Sequence, residues 1–193
     1  MANDKRILFI SRRLVNLRPI AKSEVPTVTR WVNDPKVRHF IGKVLPQTEK
    51  QEEDWFNKLG ESDKNVVLGI ETKDGVFIGI MGIHDIDREN RTATTGALIG
   101  EKEYWGKGYG TDAKMFLLQY AFETLNLHKI CSNVIAFNKR SLQYSLHCGY
   151  KLEGRRRKHV WRVGKYWDLL HLGLFHKEWL PIWRKYKKTG KVR

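Results

Sequence analysis

The chain has 193 residues, with 36 Lys or Arg against 21 Asp or Glu, so its formal net charge is +15. Hydrophobic residues make up 41% of it, enough for a packed core, which excludes a chain that is disordered throughout. The apolar runs are far shorter than the roughly 18 residues of a membrane helix, and no signal-peptide pattern opens the chain, so we expect a cytoplasmic protein. Two cysteines are too few for a disulfide framework or a Cys-rich zinc site, and we expect no metal site.

The first third of the chain predicts one extended segment and two helices. Residues 7–20 alternate as a strand does. Apolar residues recur with helical spacing over residues 23–32, and the run Asn33-Asp34-Pro35 should end that helix. Thr48, with a Gln three positions later, is typical of a helix N-cap, and Gly60 should end the helix that it opens.

The rest of the chain predicts more strands than helices. The predicted strands are 65–72, 76–84, 92–99, 129–137, 150–152 and 166–175. The predicted helices are 110–127, 139–147 and 177–186. Three consecutive hairpin-joined strands favour a mixed, largely antiparallel sheet flanked by helices over a doubly wound parallel one. No linker or repeat divides the chain, so we predict a single domain over 1–193, with a core at about 14–180 and a basic tail at 184–193.

The positive charge is concentrated near the carboxyl end. Residues 151–193 carry a net +11, whereas residues 51–100 carry a net −5. The run Arg155-Arg156-Arg157-Lys158 and the predicted tail contribute most of the excess. Such a segment attracts anions, whether nucleic acid, a ribosomal surface or a phosphorylated cofactor, and a solvated basic face explains it equally well. Charge alone leaves these alternatives open.

A glycine-rich segment at residues 100–113 lies between a predicted strand and a long predicted helix. Gly106, Gly108 and Gly110 alternate, so the backbone can turn tightly and aim successive N–H groups into one concavity at a helix N-terminus. That arrangement binds phosphate. A Walker A loop fails on spacing and on the residue after Lys107. A dinucleotide fingerprint is matched formally, but no carboxylate follows about 20 residues later.

The third alternative is a coenzyme A loop, and here the segment resembles that of the GNAT acetyltransferase superfamily, [RQ]-x-x-G-x-[GA]. Gly108 and Gly110 match its glycine pair, and Trp105 stands at the Arg or Gln position. That departure is familiar in the subgroup of ribosomal-protein alanine N-acetyltransferases, whose pattern IGxxxWGxGYxT/SEA is similar to residues 99–113. Further resemblances, in order, lie at residues 31–37, 52–56, 77–83, 138–141, 149–154 and 164–168.

The resemblance implies a GNAT-like α/β (α+β) fold with its sheet splayed between the fourth and fifth strands. It also implies acetyl-CoA as co-substrate, with the pantetheine arm in that gap, and no metal. Main-chain groups before and in the loop should hold the pantetheine and the pyrophosphate, and a residue after the next strand should bond the cofactor from the other side. The implied cofactor-binding residues are Leu98, Ile99, Trp105, Gly106, Lys107, Gly108, Tyr109, Gly110, Thr111 and Asn138.

The implied reaction is direct transfer of an acetyl group to a primary amine. Many relatives carry a Tyr seven residues after the Asn; here that position is Ser145, and Tyr144, one residue earlier, is turned away by about 100° on a helix. Ser141, three residues after Asn138, is favoured over Ser145 for assisting the departing sulfur. Glu101 is one candidate general base, beside the pair His84-Asp85 at a strand end.

The acceptor remains open at this stage. An α-amine with a pKa near 7.8 costs only about 1 kcal/mol to deprotonate at pH 7, whereas a Lys amine costs over about 4 kcal/mol, so a weakly equipped site suits a protein N-terminus. Polyamines, aminoglycosides and amino sugars are alternative acceptors. Two alternative functions also stay open: a basic nucleic-acid- or ribosome-binding protein, and a catalytically idle relative that binds CoA. The resemblance also implies a homodimer as one oligomeric state, which nothing in the sequence determines.

Overall fold

The computed structural model describes residues 7–11, 13–42 and 44–192. In chain order the elements are β1 (Ile10–Ser11), β2 (Val15–Arg18), α1 (Val25–Asn33), α2 (Pro35–Arg38), α3 (Glu49–Asn57), β3 (Val66–Thr72), β4 (Phe77–Asp87), β5 (Thr92–Ile99), α4 (Tyr109–Gln119), β6 (Lys129–Ile135), α5 (Lys139–His147), β7 (Lys151–Arg162), β8 (Lys165–Phe175) and α6 (His176–Thr189). Short 3-10 turns precede α1 and follow β5, and a π-helical turn follows α4.

The strands form a mixed sheet in the order β1-β2-β3-β4-β5-β6-β8-β7. Antiparallel pairs join β1 to β2, β2 to β3, β6 to β8 and β7 to β8, and one parallel pair joins β5 to β6. The parallel pairing runs from Thr92–Lys129 to Thr94–Cys131, although both strands continue beyond it. The predicted fold class, a mixed and largely antiparallel sheet flanked by helices, is therefore confirmed.

The described residues cluster into two compact units. The first consists of the described residues within Met1–Ser62, Val66–Gly82 and Ala97–Ala113, and the second of those within Asp63–Asn65, Ile83–Gly96 and Lys114–Arg193. The prediction of a single domain stays a prediction. Across the residues searched, no helix is both long and apolar enough to cross a membrane.

The first unit has a core built around α1. Val28, Trp31 and Val32 occupy its buried face, as the helical spacing predicts, and Val37 of α2 joins them. The run Asn33-Asp34-Pro35 ends α1 but also starts α2, because the Asp34 side chain accepts a hydrogen bond from the Lys36 amide at 2.8 Å. The predicted cap at Thr48 is confirmed as a capping box.

The second unit packs aromatic rings of α6 against the end of α4. Trp179 and Trp183 stack with ring centroids 5.3 Å apart, and both are buried. The Phe116 ring of α4 meets Trp183 edge-on at 5.4 Å, a favourable aromatic arrangement. Gly149, at φ +102°, closes α5, whose bounds match the prediction.

Three predicted elements are longer in the structure; one is β4, which ends at Asp87 rather than at residue 84. The strand predicted at residues 150–152 is the start of β7, which continues to Arg162 at the edge of the sheet. The helix predicted to end at residue 186 reaches Thr189, so most of the predicted tail is helical. Pro181 lies inside that helix; the carbonyl that it leaves without an amide belongs to exposed Lys177, where water can satisfy it.

Candidate active site

The glycine loop adopts the left-handed backbone that its composition predicts. Gly106 has φ +75° and Gly108 has φ +91°, values at which a residue with a side chain is strained. Space is not the constraint, because a Cβ added at Gly106 would meet nothing within 4 Å. Glycine is needed here for its backbone conformation.

The loop leads into the N-terminus of α4. The first helical hydrogen bond runs from the Asp112 amide to the Gly108 carbonyl at 2.9 Å. The N–H groups of Tyr109, Gly110 and Thr111 precede that bond, so they point out of the helix end. Together with the helix dipole they form a cradle for an anion, and exposed Lys107 adds a positive charge beside it.

Asp112 holds the first turn of α4 in place. Its side chain is fully buried, and one carboxylate oxygen accepts the backbone N–H groups of Leu14 at 2.8 Å and Val15 at 3.1 Å. The carboxylate thus joins the loop to the start of β2, close to the positive end of the helix dipole. Sequence reasoning missed this residue, because its partners lie almost 100 positions away.

Trp105 stands at the position where the superfamily has Arg or Gln, and it anchors the loop through a hydrogen bond and ring contacts. Its indole N–H donates to the Ile99 carbonyl at 2.7 Å. Its ring meets Phe40 edge-on at 6.1 Å and packs on the apolar core around Trp31. The carbonyl of Ile99 keeps one lone pair for another donor. Trp105 therefore fixes the turn between β5 and the cradle.

The carboxylate of Glu101 is held by two side chains of α1. Its Oε1 accepts the Trp31 indole N–H at 3.0 Å and pairs with the Arg30 guanidinium. Burial raises the pKa of Glu101, but the hydrogen bonds from Arg30 and Trp31 outweigh burial and hold that pKa below its ordinary value. A carboxylate so stabilised is a weaker proton acceptor.

The other two predicted bases lie on β4. His84 is half-buried, and burial lowers its pKa, which favours the neutral imidazole that can accept a proton. Asp85 is exposed and has φ +53° within the strand.

The structure brings Asn138 and Ser141 together at the start of α5. The Asn138 side-chain oxygen accepts the Ser141 amide at 3.1 Å, so Asn138 is the N-cap of the helix. The Ser141 residue is half-buried, whereas Ser145 is only 1% exposed. The two serines therefore differ in access to a substrate.

A buried lysine in the second unit was not predicted. Lys114 of α4 is 1% exposed, and its Nζ donates to the Thr95 hydroxyl at 2.7 Å. That hydroxyl also lies 2.8 Å from the Tyr150 hydroxyl. Burial lowers the pKa of Lys114 to about 8. Its sequence position could have revealed it, because Leu117 and Leu118, three and four residues on, are core residues.

Tyr144 lies beside this lysine. Its ring centroid is 5.7 Å from the Lys114 ammonium, and its buried hydroxyl has no hydrogen-bond partner within the part of the chain that the structure describes. Burial raises its pKa well above the ordinary value. No group of three or more His, Cys, Asp or Glu among the described residues could hold a metal ion.

Comparison with known proteins identifies the family of the chain. The sequence model of the family described as "Acetyltransferase (GNAT) domain" matches residues 14–151. A Bacillus subtilis protein named "Putative ribosomal N-acetyltransferase YdaF" is 34% identical over 126 residues, covering 65% of this chain and 67% of that protein. The spermidine N(1)-acetyltransferase of Escherichia coli K12 is 24% identical over 172 residues, covering 88% and 90%.

A solved structure shows the same fold. It is the spermidine N-acetyltransferase of Vibrio cholerae in complex with CoA and spermine, with a TM-score of 0.80 at 22% identity. The match covers 86% of this chain and 98% of that one.

Proposed function

Since the chain belongs to the GNAT acetyltransferase family and is an acyltransferase that takes its acetyl group from acetyl-CoA, we propose that its acceptor is a protein N-terminal amine. The observation that carries this acceptor is Glu101, whose carboxylate is held by Arg30 and Trp31 and is therefore a weak base. The cofactor is supported by the cradle of N–H groups ahead of Asp112, with two left-handed glycines before it. An anionic pyrophosphate suits a helix N-terminus of this kind. The residues present therefore fit the cofactor that the family uses.

In this proposal the cofactor-binding residues keep their predicted roles. Main-chain N–H groups over residues 106–111 hold the pyrophosphate, and Lys107 adds charge. Main-chain groups of Leu98 and Ile99 hold the pantetheine amides, with one lone pair of the Ile99 carbonyl already accepting Trp105. Asn138 contributes the part of its side chain that does not cap α5. Bound acetyl-CoA supplies an activated thioester.

The catalytic residues carry the proton movements. The acceptor amine must lose a proton, and the departing thiolate must gain one or be stabilised. We assign the second role to Ser141 rather than to Ser145, because Ser145 is buried. Glu101 is retained as a candidate base, weakened by its bonds to Arg30 and Trp31. A weak base suits an α-amine, which needs only about 1 kcal/mol to deprotonate at pH 7.

A polyamine is the second candidate acceptor, and a specific observation favours it. The curated spermidine acetyltransferase covers 88% of this chain, against 65% for the ribosomal relative. The acidic segment at residues 51–100, with a net −5, would attract a polycation. Aminoglycosides and amino sugars remain weaker alternatives.

The location and partners stay proposals as well. We place the enzyme in the cytoplasm, with a ribosomal surface as the partner of its basic carboxyl-terminal segment. A homodimer is the proposed assembly; a related spermidine acetyltransferase from Vibrio cholerae is described as dodecameric.

Calorimetric titration with acetyl-CoA tests the cradle. The Gly108→Arg/Gly110→Arg variant should fill it and abolish micromolar binding. A matched control is Gly60→Arg/Gly75→Arg, which places two arginines in turns of positive φ where an added Cβ meets nothing within 4 Å. The control should bind as the wild type does. Equal loss in both variants, or no binding by the wild type, would refute the cradle.

Acetyl transfer to a panel of amines then tests the acceptor. Peptides that begin with Ser or Ala should be turned over, and the same peptides with a blocked N-terminus but a free Lys should not. Faster turnover of spermidine would replace the first candidate by the second. Ser141→Ala should lower kcat by about 10-fold or more, as for loss of a general acid, with Ser145→Ala as the control. Equal effects of the two variants would contradict the assignment to Ser141.

A further inference from the structure

The tip of the β7–β8 hairpin, residues 155–167, is a strongly basic surface. It contains six Lys or Arg and no Asp or Glu. The basic residues are Arg155, Arg156, Arg157, Lys158, Arg162 and Lys165. All except half-buried Arg162 are exposed, and β7 is the last strand of the sheet. This surface thus carries six of the 36 Lys and Arg residues of the chain on 13 residues without a carboxylate.

Two large aromatic side chains project from the same tip. Trp161 is 55% exposed and Tyr166 is 59% exposed. They face each other across the hairpin, with ring centroids 4.8 Å apart and planes inclined at 63°. Next to them the Lys165 ammonium lies 4.0 Å from the Trp167 ring. Exposed rings among cations are the composition of surfaces that stack on nucleic-acid bases.

A bulge gives the basic strand a defined shape. The register shifts between Arg156 and Val160, which leaves the intervening residues out of the ladder. Asp168 holds the bulge: one carboxylate oxygen accepts the Lys158 amide at 2.9 Å, and the other lies 3.5 Å from the Arg155 guanidinium. Lys158 itself has φ +48°. Its backbone bond to Asp168 fixes the course of the exposed chain.

We propose that the hairpin tip binds single-stranded nucleic acid, with Arg156 and Arg157, beside and in the bulge, on phosphates and Trp161 and Tyr166 stacked on bases. Arginine suits this task because its planar guanidinium bonds two phosphate oxygens at once. The same tip of a second copy is a poor occupant, because it would bring six more positive charges. An acidic protein would satisfy the charges and leave the rings unused. The proposal holds for either acceptor amine and does not depend on acetyl transfer.

Fluorescence anisotropy with a labelled single strand of about 12 nucleotides tests the charge contribution. Wild-type affinity should fall steeply between about 50 and 200 mM salt. Arg156→Gln/Arg157→Gln should reduce the slope of log affinity against log salt by about 1.4, at about 0.7 per phosphate contact. The control, Lys50→Gln/Lys58→Gln, removes two exposed charges at α3, outside the basic carboxyl-terminal segment, and should leave the slope unchanged. Equal changes in the two variants would overturn the proposal.

Trp161→Ala tests stacking, which charge alone would not require. It should weaken binding at least about 5-fold, and Trp161→Phe should restore most of the loss. RNA and DNA strands of one sequence are compared in parallel, and binding of either supports the proposal. Equal displacement by polyglutamate would identify a general polyanion surface and overturn it. A change in oligomeric state of Trp161→Ala, by sedimentation, with unaltered oligonucleotide affinity would assign the tip to self-association instead.

Discussion

The two units of this protein each bury a basic side chain, and the hydrogen-bond partners of the two side chains differ. Arg18 in β2 is 3% exposed, and its guanidinium bonds the carboxylates of Glu71 at 2.6 Å and Glu24 at 2.6 and 2.9 Å. Lys114 in α4 is 1% exposed, and the neutral Thr95 hydroxyl is its hydrogen-bond partner among the described residues.

The difference appears in their proton affinities. The hydrogen bond to Glu24, with that to Glu71, outweighs burial and raises the pKa of Arg18 above its ordinary value. Burial dominates at Lys114, and its pKa falls from 10.5 to about 8. A buried cation is stable only where its partners replace the water that it has lost. Arg18 contributes to a satisfied network, whereas Lys114 is a charge that the fold tolerates.

The largest expected effect is at the satisfied cation. Arg18→Met leaves the carboxylates of Glu24 and Glu71 without their common partner, so the free energy of unfolding should fall by about 3–5 kcal/mol at pH 7. Chemical denaturation measures it. Arg88→Met is the control, because the Arg88–Asp63 pair is exposed and should be worth less than about 1 kcal/mol. A loss at Arg18 no larger than at Arg88 would contradict the network.

Replacement of Lys114 by Met should have the opposite effect on the free energy of unfolding. Lys114→Met keeps most of the side-chain volume and removes a buried charge that has no ionic partner among the described residues. We expect the free energy of unfolding at pH 7 to rise by about 1–4 kcal/mol. Lys185→Met, at an exposed position of the same residue type, should change it by less than about 0.5 kcal/mol. Destabilisation by Lys114→Met would mean that Lys114 stabilises the fold.

The advantage of Lys114→Met should depend on pH. Between pH 8 and 10.5 the unfolded wild type binds more protons at Lys114 than the native protein does, so wild-type stability gains there as pH rises. The difference between the two proteins should therefore shrink by up to about 3 kcal/mol from pH 7 to pH 10.5. Denaturation of both proteins across this range measures the difference, from which titration of other groups cancels. A constant difference would show that the Lys114 pKa is not lowered.

The smallest expected effect concerns the partner of Lys114. Thr95→Val removes the hydroxyl that contacts both Lys114 and Tyr150, and leaves the buried Tyr150 hydroxyl without that bond. Stability should fall by about 1–3 kcal/mol, and the pKa of Lys114 should fall further, as followed by NMR of its side chain. Thr29→Val is the matched control, because its buried hydroxyl donates to the Val25 carbonyl of its own helix. Equal costs would contradict a special role for Thr95.

Much of the candidate site could be predicted because its logic is local. The cradle needs glycines at positive φ just before a helix, and both requirements are visible at Gly106 and Gly108. Helix α5 matches its predicted bounds because its cap, Asn138, and its closing residue, Gly149, adjoin it in sequence. The access of Ser141 against Ser145 could not be predicted, since it depends on what packs over α5.

Features that depend on long-range pairing could not be predicted from the local sequence. Strand β7 runs to Arg162 although its second half is charged, because pairing with β8 supplies its hydrogen bonds and its exposure requires no apolar pattern. Glu101 carries no sequence mark of its pairing with Arg30, which lies 71 positions away. Long-range pairing is invisible to a local pattern.

The sequence by itself determined the family, most of the strands and helices and the glycine cradle, because backbone conformation and apolar periodicity act over a few neighbouring residues. It did not show that the extended segment at residues 7–20 is two paired strands, or that α2 follows α1. Tertiary structure alone decided the electrostatics: which carboxylate Arg30 binds, that Arg18 is satisfied and that Lys114 is left with a pKa of about 8. The physical reason is that burial and charge pairing depend on distances between residues that the chain brings together only on folding.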